Sequence, residues 1–171
     1  HYTVNNKIID NEIFSQEKGI WLWTNADNNL IENNVFTSNE VPILIHYSEA
    51  NIISANIAAD NDYSFGIGVN ATNNLIYNNY FNNTNDLYYG MTDYNNWNIS
   101  KTEGNNIVGG DFIGGNYWAN PGGTGFSETC DDLNSDGFCD MIYRIEENKD
   151  NIDFLPLTML RQTAECKDGD D

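Results

Sequence analysis

The chain repeats one short phrase four times, and that repeat limits its fold more than any other feature. Asn6 to Phe14 reads Asn-Lys-Ile-Ile-Asp-Asn-Glu-Ile-Phe, and shortened versions return at Asn29 to Phe36, Asn51 to Ala58 and Asn74 to Phe81. Ile9, Ile31, Ile53 and Ile76 mark a beat of about 22 residues, inside the range of periods that signal a solenoid. A second apolar beat falls between the copies, at Ile20/Leu22, Ile43/Ile45, Ile67/Val69 and Tyr89/Met91. Two short strand signals per period, separated by Asn, Asp, Ser or Gly clusters, predict an all-β, right-handed, single-stranded parallel β-helix of about five coils. Each strand then pairs with its equivalent one coil on, about 4.8 Å along the axis, so no long crossover is needed. Ile8, Leu30, Ile52 and Leu75 are expected to stack on one another.

Asn excess supports the same fold. About 30 of the 171 residues are Asn. Asn tolerates left-handed backbone and bonds locally in turns. In a stacked solenoid, equivalent Asn side chains can also ladder along the axis and satisfy one another's amides. A disordered Asn-rich tract would lack the regular apolar beats.

Seven Lys plus Arg stand against 26 Asp plus Glu, a net charge of −19. Such a surface repels nucleic acid, whose binding needs basic patches, and it repels anionic polysaccharides. No apolar run approaches the length of a membrane span. The chain opens at His1 inside an incomplete coil, with no initiator Met or signal peptide, which reads as a processed product or a fragment. Three sequons, at Asn70, Asn82 and Asn98, mark candidate glycosylation sites. With three cysteines they favour an extracellular location.

The period weakens after the fourth copy. Thr92 to Gly104 reads as an insertion, and Asn106 to Ile113 as a return of the beat. From Tyr117-Trp118 onward the repeat is absent. These marks divide the chain into a β-helix over residues 1–118 and an acidic cap over 119–171, expected to be stabilised by disulfide and calcium.

The sharpest local motif lies in that cap, from Cys130 to Asp140. Asp132, Asn134 and Asp136 alternate, Gly137 permits a turn, and the Phe138 carbonyl and Asp140 follow. This is the oxygen-ligand spacing of a calcium loop. Position 12 is Tyr143 rather than a bidentate Glu, so either the affinity is modest or another acid such as Asp131 or Glu128 completes the shell. A bridge between Cys130 and Cys139 would close a small ring around the loop. Spacing alone leaves Cys166 open as a partner for either. A thiolate zinc site lacks paired CxxC spacing and His.

Catalytic signals are sparse. A lyase needs a base such as Lys, and the coils hold Lys7, Lys18 and Lys101. A hydrolase needs clustered carboxylates, but Asp10, Glu12, Glu32, Asp60, Asp62, Asp86 and Asp93 are scattered. Asp60 and Asp62, flanking Asn61, are the best pair and read as a solvated turn. His1 and His46 evoke copper only through a free terminal amine and two converging coils. Aromatics are the remaining candidates. Trp21, Trp23, Tyr47, Tyr63, Tyr88 and Tyr94 fall on or beside the second beat. Trp21, Trp23, Tyr47 and Tyr88 would form a face for sugar rings, or else cover the sheet or meet a partner.

The repeats resemble those of NosD-like proteins and of the carbohydrate-binding and sugar-hydrolase β-helix class. The closing block, Trp97 to Gly110 with Gly114 to Trp118, Gly125 to Asp140 and Ile152 to Leu157, resembles the last coil of such repeats in archaeal cell-surface proteins. The resemblance spans nearly the whole chain and implies an extracellular or periplasmic-side protein with an acidic, calcium-stapled cap. Cys166 and the Lys-Asp-Gly-Asp-Asp end fall outside that pattern. The function expected is a non-catalytic structural or adhesive module of a microbial, archaeal-type cell surface, layer or filament. Homo-oligomeric assembly and glycans are the expected partners. The alternatives are a polysaccharide-active or glycan-binding β-helix and, behind it, copper handling.

Overall fold

The computed structural model describes residues 3–88, 94–145 and 151–159; His1, Tyr89, Met91, Asp93 and Cys166 lie outside them. Each turn of the chain contributes three short strands. The first turn holds β1 (Lys7–Ile9), β2 (Glu12–Phe14) and β3 (Lys18–Trp23), and the second β4 (Leu30–Glu32), β5 (Val35–Thr37) and β6 (Val41–His46). The third holds β7 (Ile52–Ser54), β8 (Ile57–Ala59) and β9 (Tyr63–Ile67), and the fourth β10 (Leu75–Tyr77), β11 (Tyr80–Asn82) and β12 (Asn85–Tyr88). Stacked in parallel, they build three sheets, ordered β1-β4-β7-β10, β2-β5-β8-β11 and β3-β6-β9-β12. The result is a parallel β-solenoid of the right-handed type with about four turns, not five.

Register differs from the expected stack by one residue in the first turn. Ile8, Ile31, Ile53 and Ile76 align, whereas Leu30 sits opposite Lys7 and Ile9 opposite Glu32. The first turn is 23 residues long and the second 22, so a constant step of 22 slips the phase, and one residue of slip changes the face. In the third turn the expected inward pair is displaced by two residues, which keeps the face and moves the pair along the strand. Ile45 pairs with Ile67 and Leu44 with Gly66, so Phe65 and Ile67 are the inward pair and Val69 lies exposed in the following corner.

Inside, the aligned Ile31, Ile53 and Ile76 meet Phe36, Ala58 and Phe81 from the second sheet and Ile43, Ile45, Phe65 and Ile67 from the third. No turn could bury this face alone; stacking does it.

The corners explain the Asn excess. At most of them a residue with positive φ is followed by the ladder residue, as in Asn33–Asn34 (φ 55° at Asn33), Ser38–Asn39 (φ 56° at Ser38) and Ala50–Asn51 (φ 56° at Ala50). Three ladders run the length of the solenoid. In the first, Asn6, Asn29, Asn51, Asn74 and Asn95 each donate a backbone N–H to the next side-chain oxygen, ending on Asn151. In the second, Asn11, Asn34, Asn56, Asn79 and Asn116 do the same, ending on Asp153. The third links Gln16, Asn39, Asn61 and Asn83.

The last turn corrects the sequence reading. Asn95 and Trp97, assigned to an insertion, belong to the solenoid: Leu75 bridges to Asn96, and Trp97 is a core residue. Asn106 to Ile113 does not resume the beat. Instead β13 (Thr102–Glu103) and β14 (Phe112–Ile113) form an antiparallel hairpin that interrupts the turn. The solenoid returns at β15 (Tyr117–Ala119), which pairs with β11 and sets Trp118 opposite Phe81. The cap then adds α1 (Phe126–Thr129), β16 (Tyr143–Arg144) and β17 (Ile152–Asp153), the last two antiparallel. Its aromatics floor the core: Trp118 lies 4.8 Å from Phe81, 5.8 Å from Trp97 and 5.0 Å from Tyr143.

Candidate functional site

Alternation along β3 turns Ile20 and Leu22 into the core and Trp21 and Trp23 outward. The two indoles remain 50% and 49% exposed although they touch edge-on at 4.8 Å. Trp23 stacks on His46 at 5.1 Å and meets Tyr47 edge-on at 5.7 Å. Lys18 places its ammonium 5.5 Å from the Trp21 ring, a cation–π distance. Gly68 makes the stack fit, because a Cβ there would fall 1.8 Å from His46 Nε2. Desolvation by burial, with Lys18 nearby, lowers the His46 pKa, favouring the neutral imidazole. The structure thus brings Trp21, Trp23 and Tyr47 into one shelf. Tyr88 lies on the same sheet but three strands from Trp21, edge-on to Tyr63 at 4.9 Å, and is not part of that cluster. His46, which the sequence raised only in connection with copper, is the shelf's support.

Beside the shelf, the corner between the third sheet and the next turn opens a groove of about 450 Å³, lined among others by Asn25, Asp27, Tyr47, Glu49, Asn70 and Thr72. Asp27 Oδ1 accepts the Glu49 N–H at 2.8 Å. A smaller concavity of about 220 Å³ lies at the seam with the cap, where Asp86 meets Trp118, Phe126 and Tyr143. The Tyr143 hydroxyl donates to the Asp86 carboxylate. Burial raises the Asp86 pKa against that hydrogen bond. Asp60 and Asp62 are exposed corner residues either side of the buried rung Asn61.

The acidic loop has its own internal logic. Asp132 accepts the N–H groups of Asp136 (3.0 Å) and Gly137 (2.9 Å), and Asn134 also accepts from Asp136 at 3.2 Å. Asp136 accepts the Phe138 N–H at 3.1 Å, and Asp140 accepts the Leu133 N–H at 3.0 Å. Gly137 takes φ 84° to make the turn. Sequence reasoning missed the loop's cation: the Lys101 ammonium lies 2.8 Å from Asp136 Oδ2, and 4.4 Å and 5.1 Å from the Phe112 and Phe138 rings. Burial pushes the Asp136 pKa up, but the Lys101 and Phe138 hydrogen bonds outweigh it and hold the carboxyl below its usual value. Glu128 caps the turn into α1 instead, its Oε2 accepting the N–H groups of Gly125 (2.8 Å) and Asn120 (3.1 Å). Cys130 and Cys139 are joined in a disulfide, with Cα atoms 5.6 Å apart.

The three sequons differ. Asn70 is exposed and lines the groove. Asn82 lies half-buried in β11. The Asn98 amide donates to the Ile99 carbonyl and accepts the Phe154 N–H.

A laddered solenoid with an outward aromatic shelf and a disulfide-stapled cap defines a parallel β-helix repeat protein. Residues 1–123 match the family model described as "Periplasmic copper-binding protein (NosD)", and the chain belongs to that family. No curated protein and no solved structure matches it. No helix among the described residues is long and apolar enough to cross a membrane.

The family description names copper, so the donors need testing. Among the described residues no three His, Cys, Asp or Glu side chains form a metal-binding group. His46 is packed between Trp23 and Gly68, and the thiols of Cys130 and Cys139 are spent on each other. Met141 and Met159 are exposed. Soft-ligand copper chemistry needs converging His, Met or Cys donors, and the described residues do not fit it.

Proposed function

We propose that the chain is a non-catalytic, extracytoplasmic adhesive module that holds surface glycans against its third sheet. The observation that carries this reading is the shelf of Trp21, Trp23 and Tyr47, half-exposed on a sheet whose flanks are fixed by side-chain ladders. Large outward aromatics present an apolar face with a polar edge, and exposed patches of this kind mark interaction sites. A pyranose stacks on such a face through its C–H groups. In a microbial cell surface, layer or filament, the laddered rod would act as a stiff spacer. A glycan panel tests it. Binding without sugar release, lost in Trp21→Ala and Trp23→Ala, is expected; reproducible sugar release would overturn the non-catalytic reading.

Calcium at the cap is a subsidiary proposal. Asp132, Asn134, Asp136, the Phe138 carbonyl and Asp140 supply the oxygen spacing; in the structure their carboxylates bond backbone N–H groups and Lys101 and are not gathered into a metal-binding group, so calcium would have to regather them. A calcium ion would displace Lys101 from Asp136, which makes affinity modest. Melting with calcium and with chelator, for the native chain and Asp136→Ala, checks this. A native melting temperature indifferent to calcium removes the ion from the account.

A further inference from the structure

In the second and third turns the two corners between the sheets are sealed tightly, with the ladder Asn following its left-handed neighbour at once. The corner after the third sheet is longer. It runs through Thr24 and Asn25 in the first turn, Tyr47 in the second and Asn70 in the third, all left-handed, with φ of 49°, 57°, 48° and 52°. The groove described above lies along these corners, across successive turns.

Tyr47 is the informative residue. A bulky aromatic at positive φ is a true outlier, and such strain persists where the surrounding structure enforces it, often at binding sites. Asn or Gly would take this backbone at less cost; Asn25 and Asn70 do so at this corner, while Thr24, which follows Trp23 as Tyr47 follows its register partner His46, is left-handed too. Tyr47 instead sets a ring between the Trp23 edge of the shelf and the groove.

We infer that this corner groove is a sugar subsite selective for uncharged pyranoses, continuous with the shelf and resting on the glycan reading above. The Tyr47 ring offers the apolar face. The Asp27 and Glu49 carboxylates accept sugar hydroxyl protons, and the Asn25, Asn70 and Thr72 side chains both donate and accept, matching hydroxyls that do both. The bond from Glu49 N–H to Asp27 fixes one carboxylate before any ligand arrives, which lowers the ordering cost of binding. Two carboxylates on a chain of net charge −19 repel uronic acids and sulfated sugars. The groove's 450 Å³ falls in the usual range for small-ligand pockets.

Calorimetry on the full chain tests this with neutral gluco-, manno- and galacto-configured tetrasaccharides and with tetragalacturonate. At least one neutral tetrasaccharide should bind and tetragalacturonate should not. Tyr47→Asn should weaken binding about tenfold while leaving the melting temperature unchanged or raised, a combination that a purely structural tyrosine would not give. Thr72→Val should weaken it with the fold intact, and Asp27→Asn combined with Glu49→Gln should admit the uronate. Full affinity in Tyr47→Asn, with binding lost in Trp23→Ala, would sink the groove and leave the shelf. Absence of binding to every sugar overturns both. Equal affinity for tetragalacturonate overturns the selectivity. A glycan on Asn70 of the native chain, with added sugar excluded, would mean the groove seats the protein's own modification and overturns the proposal.

Discussion

Asn56 shows what a single rung does. Its Oδ1 accepts the Asn34 N–H at 2.9 Å and the Asn34 amide at 3.0 Å. Its Nδ2 donates to Asn79 Oδ1 and to the Ile31 and Ser54 carbonyls, all at 2.9–3.0 Å. Only an amide of this length combines acceptor and donors in that geometry; Asp lacks the donors and Gln overshoots. Asn56→Ala strands several buried groups, each costing about 1–3 kcal/mol. A loss of about 3 kcal/mol by urea unfolding is expected, and a loss below about 1 kcal/mol would mean water replaces the rung. The second ladder ends on a different chemistry. Asp153 is fully buried and its Oδ2 accepts the Asn116 N–H (2.7 Å) and the Trp118 indole N–H (3.0 Å), while Oδ1 accepts the Leu155 N–H (3.1 Å). Desolvation dominates over these donors and pushes its pKa up to about 7. Because the folded value exceeds the unfolded one, this carboxyl stabilises the fold fully below about pH 4 and loses that contribution as pH rises through 7. Asp153→Asn should flatten stability between those limits. An unchanged pH profile would mean that Asp153 is ionised throughout.

At the scale of the element, the third sheet is shaped by what its glycines leave out. Gly66 gives room to Leu44 and Val41, and Gly68 to His46. Gly68→Ala should expel the imidazole, unstack it from Trp23 and cost about 1–3 kcal/mol. Tryptophan fluorescence should change along with stability; a change in stability alone would place the strain elsewhere. The cap loop is held by a different device. The Cys130–Cys139 disulfide spans nine residues, and closing so short a ring is worth about 2–3 kcal/mol in the chain-entropy view. Reduction should lower the melting temperature, and more so in Lys101→Ala, where the loop has also lost its cation.

Taken whole, solenoid and cap share their polar wiring. Asn151 completes the first ladder, accepting the Asn95 N–H at 3.2 Å and the Trp97 indole at 3.0 Å, while Asp153 completes the second. Two residues apart, one just before β17 and one on it, they stand in for a further turn at the end of the core. Unfolding followed by near-ultraviolet signals from Trp97 and Trp118 should therefore coincide with loss of β-structure in the far ultraviolet, as in a single cooperative transition. An early near-ultraviolet change would show the cap opening by itself.

The sequence by itself determined the solenoid, because a period near 22 with two apolar beats has few other ways to bury itself, and it foretold Asn ladders from the Asn excess. It also marked the Cys130–Cys139 loop by composition. Phase was less legible: a single added residue in the first turn moved Ile9 off the core face and Ile8 onto it. The closing rungs were hidden for a related reason. Asn116 follows Asn79 by 37 residues and Asn151 follows Asn95 by 56, so intervening hairpin and loop erase the period while the spatial step stays one rung. Only the tertiary structure set Lys101 against Asp136, supported Trp23 on His46, and opened the groove beside Tyr47. Each depends on residues brought together across turns by stacking, and distance along the chain carries no record of that.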